Sequence, residues 1–425
     1  MGAALLESLL GDGAALAPAA RGEAVAALRR DGLPGARDEA WKYTSLRALE
    51  QRRYADGDAA AATRAVDAGA FALPGLDGAR LVFVNGAFRA DLSDRRALAG
   101  LEVVVLAERP DALAALLADD EPGTRSDTFA RLNTALVTDG ALLRVAAGTR
   151  VAEPVHVVFV GASAEADLAW QARLRVELGA GAALTLIEHH VGAGAHSHLG
   201  NLVVDGTLAA HARLGLVQIQ DAPEGAPLIR RSTFHVGEAA TLSAHTLELG
   251  AQTMRHDLRV ELAGRAARLR SRGVFALHGR QHADTHLDVR HRARDTACDI
   301  AWRGVADQRS RGVFHGAITI EAGADGADAQ LSNKNLLLSA QAEIDTQPVL
   351  EIYADEVKAA HGATVGQLDE RALFYLRSRG IPAAAARRIL VSAFCGAVLG
   401  EVAPAGLRER IDALLAARLP LEEGT

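Results

Sequence analysis

From about residue 141 the chain runs as short apolar or alternating segments separated by turns of small residues: ALLRV, VHVVFV, RLRVEL, ALTLIE, RLGLVQIQ, LSAHTLEL, DLRVEL and GVFHGAITI. Runs of this length and alternation predict β-strands. Several share one layout, a strand, a turn of Gly, Ala or polar residues, then a second strand, as in VELGAGAALTLIE, GTLAAHARLGLVQIQ, HVGEAATLSAHTLEL and VELAGRAARLRSRGV. Second strands beginning near Ala183, Ala212, Ala240, Ala267, Ala297 and Asp328 recur at intervals of roughly 27 to 31 residues, a period typical of repeat architectures. A coil of that size with two or three short strands predicts a parallel β-helix, in which each coil buries its inner face only by stacking on its neighbours. An evenly spaced β-sandwich is the alternative. It is less favoured because hairpin turns of the Asn-Gly kind are few.

Both ends of the chain carry the helical period instead. Toward the N-terminus, Glu23–Arg30 is alanine-rich and periodic, Leu33-Pro34-Gly35 breaks it, and a helical stretch is expected from Asp38 through Leu49. Leu81-Val-Phe-Val-Asn85-Gly86 predicts a strand entering a turn, Arg109–Leu117 a further helix, and Glu121-Pro122-Gly123 a turn that ends it. Beyond Gly366, Asp369 is a good N-cap, Leu373 and Leu376 share a face, and Gly380 is a natural stop. Pro382 suits the first turn of a second helix carrying Leu390, Phe394 and Val398, and Pro404 breaks it. Leu407, Ile411, Leu414 and Leu415 stripe a third. The expected fold is mainly β with helical ends: residues 1–125 as an N-terminal helical region with a short strand, 126–365 as the β-helix core, and 366–425 as a C-terminal helical domain.

Composition narrows the function classes. A net charge of -7 over 425 residues argues against nucleic acid as a partner, since phosphate recognition needs a clustered basic surface. Lys42, Lys334 and Lys358 are the only lysines and none follows a glycine, so there is no phosphate-binding Gly-Lys loop for nucleotide hydrolysis. Cys298 and Cys395 are far apart and outside any CxxC pairing, which leaves neither a disulfide framework nor a zinc knuckle. The first residues have no basic segment ahead of an apolar one, and no uncharged run reaches the length of a membrane span. A soluble, cytoplasmic protein is expected.

Two groups of residues could carry chemistry. Glu188-His189-His190 and His196-Ser197-His198 flank a Gly-Ala turn, and a tetrahedral zinc site is conceivable there. With no HExxH helix and no companion cysteine, exposed histidines at strand ends are the favoured expectation. His278, His282, His286 and His291 are expected at the surface. The second group is the stretch EIYADEVKAAHGATVGQLDE, with Glu351, Asp355, Glu356, Lys358 and His361 at the junction of β-helix and helical domain. A β-helix with acidic, basic and imidazole side chains on an outer face is also the layout of polysaccharide lyases and related hydrolases. Against that alternative stand an aromatic content of 4%, low for sugar-stacking platforms, and the lack of an export signal.

Two segments are more specific. Asp38-Glu39-Ala40-Trp41-Lys42-Tyr43-Thr44-Ser45-Leu46 resembles the RxExWKYT element near the start of SufD-type members of the SufB/SufD family, and Leu331–Ile381 resembles the C-terminal signature of that family. HGATVG stands where the SufB branch usually has a His-Glu-Ala-Thr variant, so the SufD branch matches better. The resemblance spans essentially the whole chain. It implies a right-handed parallel β-helix between helical ends, and a non-catalytic scaffold subunit in a cytosolic complex of one SufB, one SufD and two copies of the ATPase SufC that builds nascent iron-sulfur clusters. It places His361 at the heterodimer interface opposite a SufB cysteine, as a ligand to a nascent cluster shared with SufB and not held stably by the chain alone. Imidazole is an accepted substitute for thiolate in such sites. Many relatives carry a cysteine two residues earlier, where this chain has Ala359. A structural His361 bonded to a backbone carbonyl is the alternative, and a homodimer is possible when SufB is absent. The helical domain is the expected SufC dock, with Phe374, Tyr375, Arg377 and Arg379 of ALFYLRSRGIP as anchors, because aromatic and arginine side chains are enriched at interface hot spots. Phe374 packing against Leu390 and Phe394 within the domain is the competing arrangement.

Overall fold

The computed structural model describes residues 2–11, 19–56, 65–73, 76, 78–119, 127–400, 402 and 405–418. The alternating segments form a parallel β-helix of about eight turns, two strands to a turn. One sheet is built from β5 (Gly140–Val145), β7 (Leu168–Leu178), β9 (Leu199–Leu208), β11 (Pro227–Val236), β13 (Thr253–Leu262), β15 (His282–His291), β17 (Arg311–Ile320) and β19 (Glu343–Ile352). The other is built from β6 (Val155–Ala162), β8 (Ala183–Ala193), β10 (Arg213–Asp221), β12 (Thr241–Glu248), β14 (Arg268–Leu277), β16 (Ala297–Ala306), β18 (Asp328–Leu337) and β20 (Lys358–Gly366). The strand starts expected from the period fall within one residue of β8, β10, β12, β14, β16 and β18.

Each strand pairs in parallel, in register, with the strand one turn along, so a side chain facing the bore rests on its counterpart in the next turn. Uniformly large residues would not fit. The register therefore sets glycine against aromatic: Gly200 on Trp170, Gly206 on Phe234, Gly273 on Trp302 and Gly304 on Phe275. A Cβ at Gly273 would meet the Trp302 ring at 2.3 Å, and one at Gly304 would meet Phe275 at 2.1 Å.

The tight turn before six successive strands of the second sheet is also repeated. Two residues ahead of β8, β10, β12, β14, β16 and β18 stand Gly181, His211, Ala239, Ala266, Asp295 and Gly326, all with φ between 50° and 76°. Each sends its N–H to a carbonyl of the next turn, from Gly181 to Ala210 through Ala266 to Arg294 and Gly326 to Glu356. The stack is thus held by a ladder of turn-to-turn hydrogen bonds strong enough to keep two alanines left-handed.

The two ends of the helix differ. At the first turn β2 (Arg80–Val84) joins the second sheet alongside β6, with β3 (Ala87–Phe88) folded back antiparallel on it, and β4 (Leu101–Val105) closes the first sheet antiparallel to β5. At the last turn β19 and β20 are edge strands with no further turn over them. Against the outer face of the first sheet pack α1 (Gly2–Leu10), α2 (Ala19–Asp31), α3 (Arg47–Glu50), α4 (Pro110–Ala118) and α5 (Thr128–Leu136), reaching Leu142, Leu199 and Ile229. The continuous helix expected over Asp38–Leu49 is not formed. Only Glu39–Trp41 makes a single 3₁₀ turn before α3, because the Asp38 carboxylate accepts the Gly35 N–H and Trp41 is buried between the Phe129 ring and the Arg255 guanidinium. The expected turn at Glu121–Gly123 and the break at Pro404 lie outside the described residues.

At the C-terminal side, α6 (Glu370–Ser378) begins at Asp369, whose carboxylate accepts the Arg371 and Ala372 N–H groups, and stops before Gly380, with φ 83°. α7 (Ala383–Leu399) follows Pro382 and α8 (Ala405–Arg418) completes the domain. The buried stripe of α7 is Val391, Cys395, Val398 and Leu399, shifted from the expected Leu390 and Phe394, and it packs with Leu247, Val274, Ala276 and Val305 on the outer face of the second sheet. No helix among the described residues is long and apolar enough to cross a membrane.

Two substitutions test the stacking with opposite signs. Ala266→Gly relieves a left-handed alanine that costs roughly 1–2 kcal/mol and gives back part of it as backbone entropy, so denaturant unfolding should show a gain of up to ~1 kcal/mol. Gly273→Val drives a side chain into Trp302 and should lose ~1–3 kcal/mol in the same measurement.

Candidate functional site

Two surfaces gather the residues singled out in the sequence. The first is the open end of the β-helix. In β18 the bore-facing residues Ala329, Leu331, Asn333 and Asn335 are buried, and in register on them in β20 stand Ala359, His361, Ala363 and Val365. His361 therefore occupies an inward-facing row whose next turn is missing, and it is exposed for that reason. It has no hydrogen-bond or ion partner among the described residues, which leaves the backbone-carbonyl alternative without support. Beside it Ile352, Tyr353 (64% exposed) and Val365 put apolar surface at the same end. Glu351, Asp355, Glu356 and Lys358 are exposed around them, and Glu351 makes only a long contact of 3.5 Å with the Thr319 hydroxyl. An apolar centre with a charged rim and two unpaired strand edges is the anatomy of an interface.

The second surface is the hairpin of α6 and α7. Phe374 is 72% exposed and Tyr375 57%, so Phe374 does not pack against Leu390 and Phe394. The Arg379 guanidinium lies 3.7 Å from the centre of the Tyr375 ring, and Arg377 is exposed on the same helix. The pair is a preassembled cation–aromatic patch in solvent.

The histidines are placed differently from expectation. Glu188, His190 and His198 are buried in or beside the bore, and His189 is buried on the opposite face beneath α8. The exposed strand-end arrangement fails because outward positions here are covered by the C-terminal helices and inward ones by the stack. His196 and His198 lie in a loop, not a strand, although their rings still stack at 4.5 Å. Burial holds His189 well below the usual imidazole range and lowers His156, stacked on it at 5.6 Å, to about 3. His291, expected at the surface, is fully buried, with Nδ1 at 2.8 Å from the Thr296 hydroxyl and Nε2 at 3.3 Å from Cys298 Sγ. His278, His282 and His286 are half-buried. No group of three or more metal-ligating side chains comes together among the described residues.

Sequence inspection did not place the clamp that ties the N-terminal strap to the β-helix. Thr44 donates its hydroxyl to Asp284 and accepts from His282 Nε2 at 2.9 Å. Arg255 bonds Asp284 at 2.6 Å, Asp257 at 2.7 Å and the Ala40 carbonyl at 2.7 Å, with its guanidinium 4.8 Å from the Trp41 ring. Burial works against ionisation of Asp257 and Asp284, but Arg255 overrides it and holds both carboxyls below their usual range. Asp257, Asp288 and Glu351 line a groove of about 350 Å³ beside this clamp. A glycosidase-type pair needs one carboxyl kept protonated, and Asp257 is driven the other way. The Trp41 and Thr44 anchors sit inside the RxExWKYT-like element, but nothing in the spacing of Arg255, Asp257 and Asp284 marks them as their partners.

Neither cysteine offers a thiolate. Cys298 faces the bore and Cys395 the underside of α7, and burial pushes both thiols up to about 12. Of the cluster-ligating residue types, His361 is thus the one presented at the open end.

The chain is similar to two family models: the SufBD protein N-terminal region over residues 8–157, and the SUF system FeS cluster assembly SufBD core domain over residues 159–394. Among curated proteins it is 31% identical to the iron-sulfur cluster assembly protein SufD of Escherichia coli, over 92% of this chain and 91% of that protein. It is 30% identical to an iron-sulfur cluster assembly SufBD family protein of Synechocystis, over 89% and 86% respectively. To the SufD of Bacillus subtilis it is 33% identical over 32% of each.

The clamp and the thiols generate one prediction each. Asp284→Asn leaves Arg255 buried with one carboxylate fewer and should cost ~3–5 kcal/mol, read by denaturant unfolding. An aromatic disulfide reagent should leave both cysteines unmodified in the native protein and modify both after unfolding.

Proposed function

The chain belongs to the SufBD family of iron-sulfur cluster assembly proteins, and on that premise we propose that it is the SufD-type scaffold subunit of a complex with a SufB-type paralogue and a SufC-type ATPase. Its role lies in iron-sulfur cluster assembly. Pairing with the paralogue would run through the open end, where a second β-helix with a matching edge completes both sheets and covers Ile352, Tyr353 and Val365. A second copy of this chain is the substitute when the paralogue is absent.

The observation that carries the reading is the position of His361: an imidazole in a bore-facing row of the last turn, uncovered within the chain and surrounded by interface-like surface. On pairing it would be buried against the partner, where a neutral imidazole nitrogen can ligate a nascent cluster that is the cargo of the assembly. Thiolates must then come from the partner, since Cys298 and Cys395 are held as buried thiols. The chain itself acts without catalysis, and the ATPase docks on Phe374, Tyr375, Arg377 and Arg379.

His361→Ala in the reconstituted complex should leave assembly intact by size-exclusion chromatography and cut cluster formation about tenfold or more, followed by visible absorbance. Wild-type cluster yield from the assembled mutant complex would reject the ligand role.

Charge reversal Arg379→Glu should weaken ATPase binding by about 2 kcal/mol, roughly thirtyfold in Kd, with an unchanged circular dichroism spectrum. Full ATPase capture by a chain ending at Gly366 would remove the docking role from the helical hairpin.

A further inference from the structure

The last turn of the β-helix breaks a charge balance that the two turns beneath it keep. Residues 279–308, which carry β15 and β16, hold five arginines and five aspartates. Residues 309–338, which carry β17 and β18, hold three basic and three acidic side chains. Residues 339–366, which carry β19 and β20, hold five carboxylates, Glu343, Asp345, Glu351, Asp355 and Glu356, against the single ammonium of Lys358.

Register places these charges on the rim and keeps them out of the bore. In β19, Ile344, Thr346, Pro348, Leu350 and Ile352 continue the bore-facing row of β17, and in β20 the bore-facing row is Ala359, His361, Ala363 and Val365. Glu343, Asp345 and Glu351 therefore stand on the outer face at the edge of the first sheet, and Lys358 at the edge of the second. Asp355 and Glu356 lie in the turn that joins the two strands. Among the described residues one guanidinium serves this rim: Arg311 reaches Asp345 at 2.7 Å and Glu343 at 3.3 Å. Glu351 has only the Thr319 hydroxyl at 3.5 Å, and no side-chain partner meets Asp355 or Glu356 among the described residues. The open end is thus an apolar centre inside an acidic rim.

Resting on the reading of this end as the pairing surface, we propose that its rim selects the partner by charge. The face it fits is a β-helix end with a basic rim, and a second copy of this chain is the partner it disfavours. The reason is symmetry. Two identical ends meet through the same patch on both, so self-pairing sets each acidic rim against another acidic rim. Like charges juxtaposed across an interface cost affinity, whereas complementary ones steer encounter. Both effects fade as salt shortens the Debye length, from about 30 Å at 0.01 M to about 3 Å at 1 M. Edge strands need protection from unwanted pairing, and charge confined to the rim supplies it while leaving Ile352, Tyr353 and Val365 free for the right partner. The two pairings therefore respond to salt with opposite signs: self-association tightens as salt rises, and pairing with the paralogue weakens.

The test is sedimentation of the full-length chain, alone and mixed with the SufB-type paralogue, at salt of about 0.02 M and about 0.5 M. From low to high salt, self-association is expected to tighten about tenfold or more and pairing with the paralogue to weaken by a similar factor. Glu351→Gln, Asp355→Asn and Glu356→Gln together remove three charges that no ion pair of the chain uses. This neutral variant should keep its circular dichroism spectrum, self-associate about tenfold more tightly at low salt, and pair more weakly with the paralogue. Wild-type self-association that stays constant or weakens as salt rises overturns the proposal, as does a folded neutral variant that pairs with itself no better than the wild type. A second variant, Ile352→Ser with Tyr353→Ser, removes the apolar centre without altering charge. If it pairs with the paralogue as well as the wild type does, the open end is not the pairing surface and both readings fall. If it fails to pair while the neutral variant pairs like the wild type, the surface stands and charge selection alone is rejected. Should the neutral variant fail to fold, the salt dependence of the wild type decides.

Discussion

Everything in this molecule depends on coverage inside the bore: a bore-facing side chain is shielded from water by its register partners one turn along and by the side chains of the facing sheet. Coverage requires strict register, and strict register forbids large residues from stacking without relief. Glycine opposite Trp302, Phe275, Phe234 and Trp170 is that relief. The same requirement explains the left-handed turn residue two positions before six successive strands of the second sheet, β8 to β18, whose N–H groups make the hydrogen-bond ladder from turn to turn. A structure stabilised by coverage cannot cover its own last turn. The apolar and imidazole side chains at Ile352, Val365 and His361 are the remainder.

Polar groups tolerated inside such a stack must be satisfied by one another. The Glu188, Arg230, His256 and Glu248 chain does this across both sheets, and Trp302 does it on a smaller scale by donating to the Ser271 hydroxyl at 3.1 Å. Arg255 plays the equivalent part on the outer face, where it joins two strands of the first sheet to the strap. Replacing these groups by apolar ones of similar size could leave the fold as stable or more so, whereas removing a single partner strands a charge. They therefore specify the arrangement more than they strengthen it.

The β-helix and its turn positions were legible because a repeat multiplies a weak signal: one strand of ten residues is ambiguous, six at the same spacing are not. The C-terminal helices were legible from Asp369, Gly380 and Pro382, residues whose conformations are restricted by their own chemistry. The face of α7 was off by one residue because Leu390, Phe394 and Val398 are apolar like the stripe actually buried. His361 came from family resemblance and the exposed aromatics from their residue type at a helix–helix turn, neither from periodicity, and the missing next turn explains the exposure of His361. Burial of the histidines was not legible. In Glu188-His189-His190 alternate residues face opposite sides of the sheet, and only the three-dimensional packing reveals that α8 seals the side that a single sheet would leave wet. The Thr44 to Asp284 clamp was invisible for another reason: a contact across 240 residues leaves no local pattern.

That last separation has a kinetic side. The strap around Trp41 and Thr44 is made early in synthesis, yet its anchors, Arg255, His282 and Asp284, appear only after more than half the chain has followed. The β-helix can stack turn by turn as it is produced, because each turn needs only its predecessor. The Thr44–Asp284 bond cannot form until β15 is in place, whereas Trp41 can already pack on Phe129 of α5. Closing so long a loop favours a slow final step, and a chaperone-like contact with residues 38–46 would matter most during that interval.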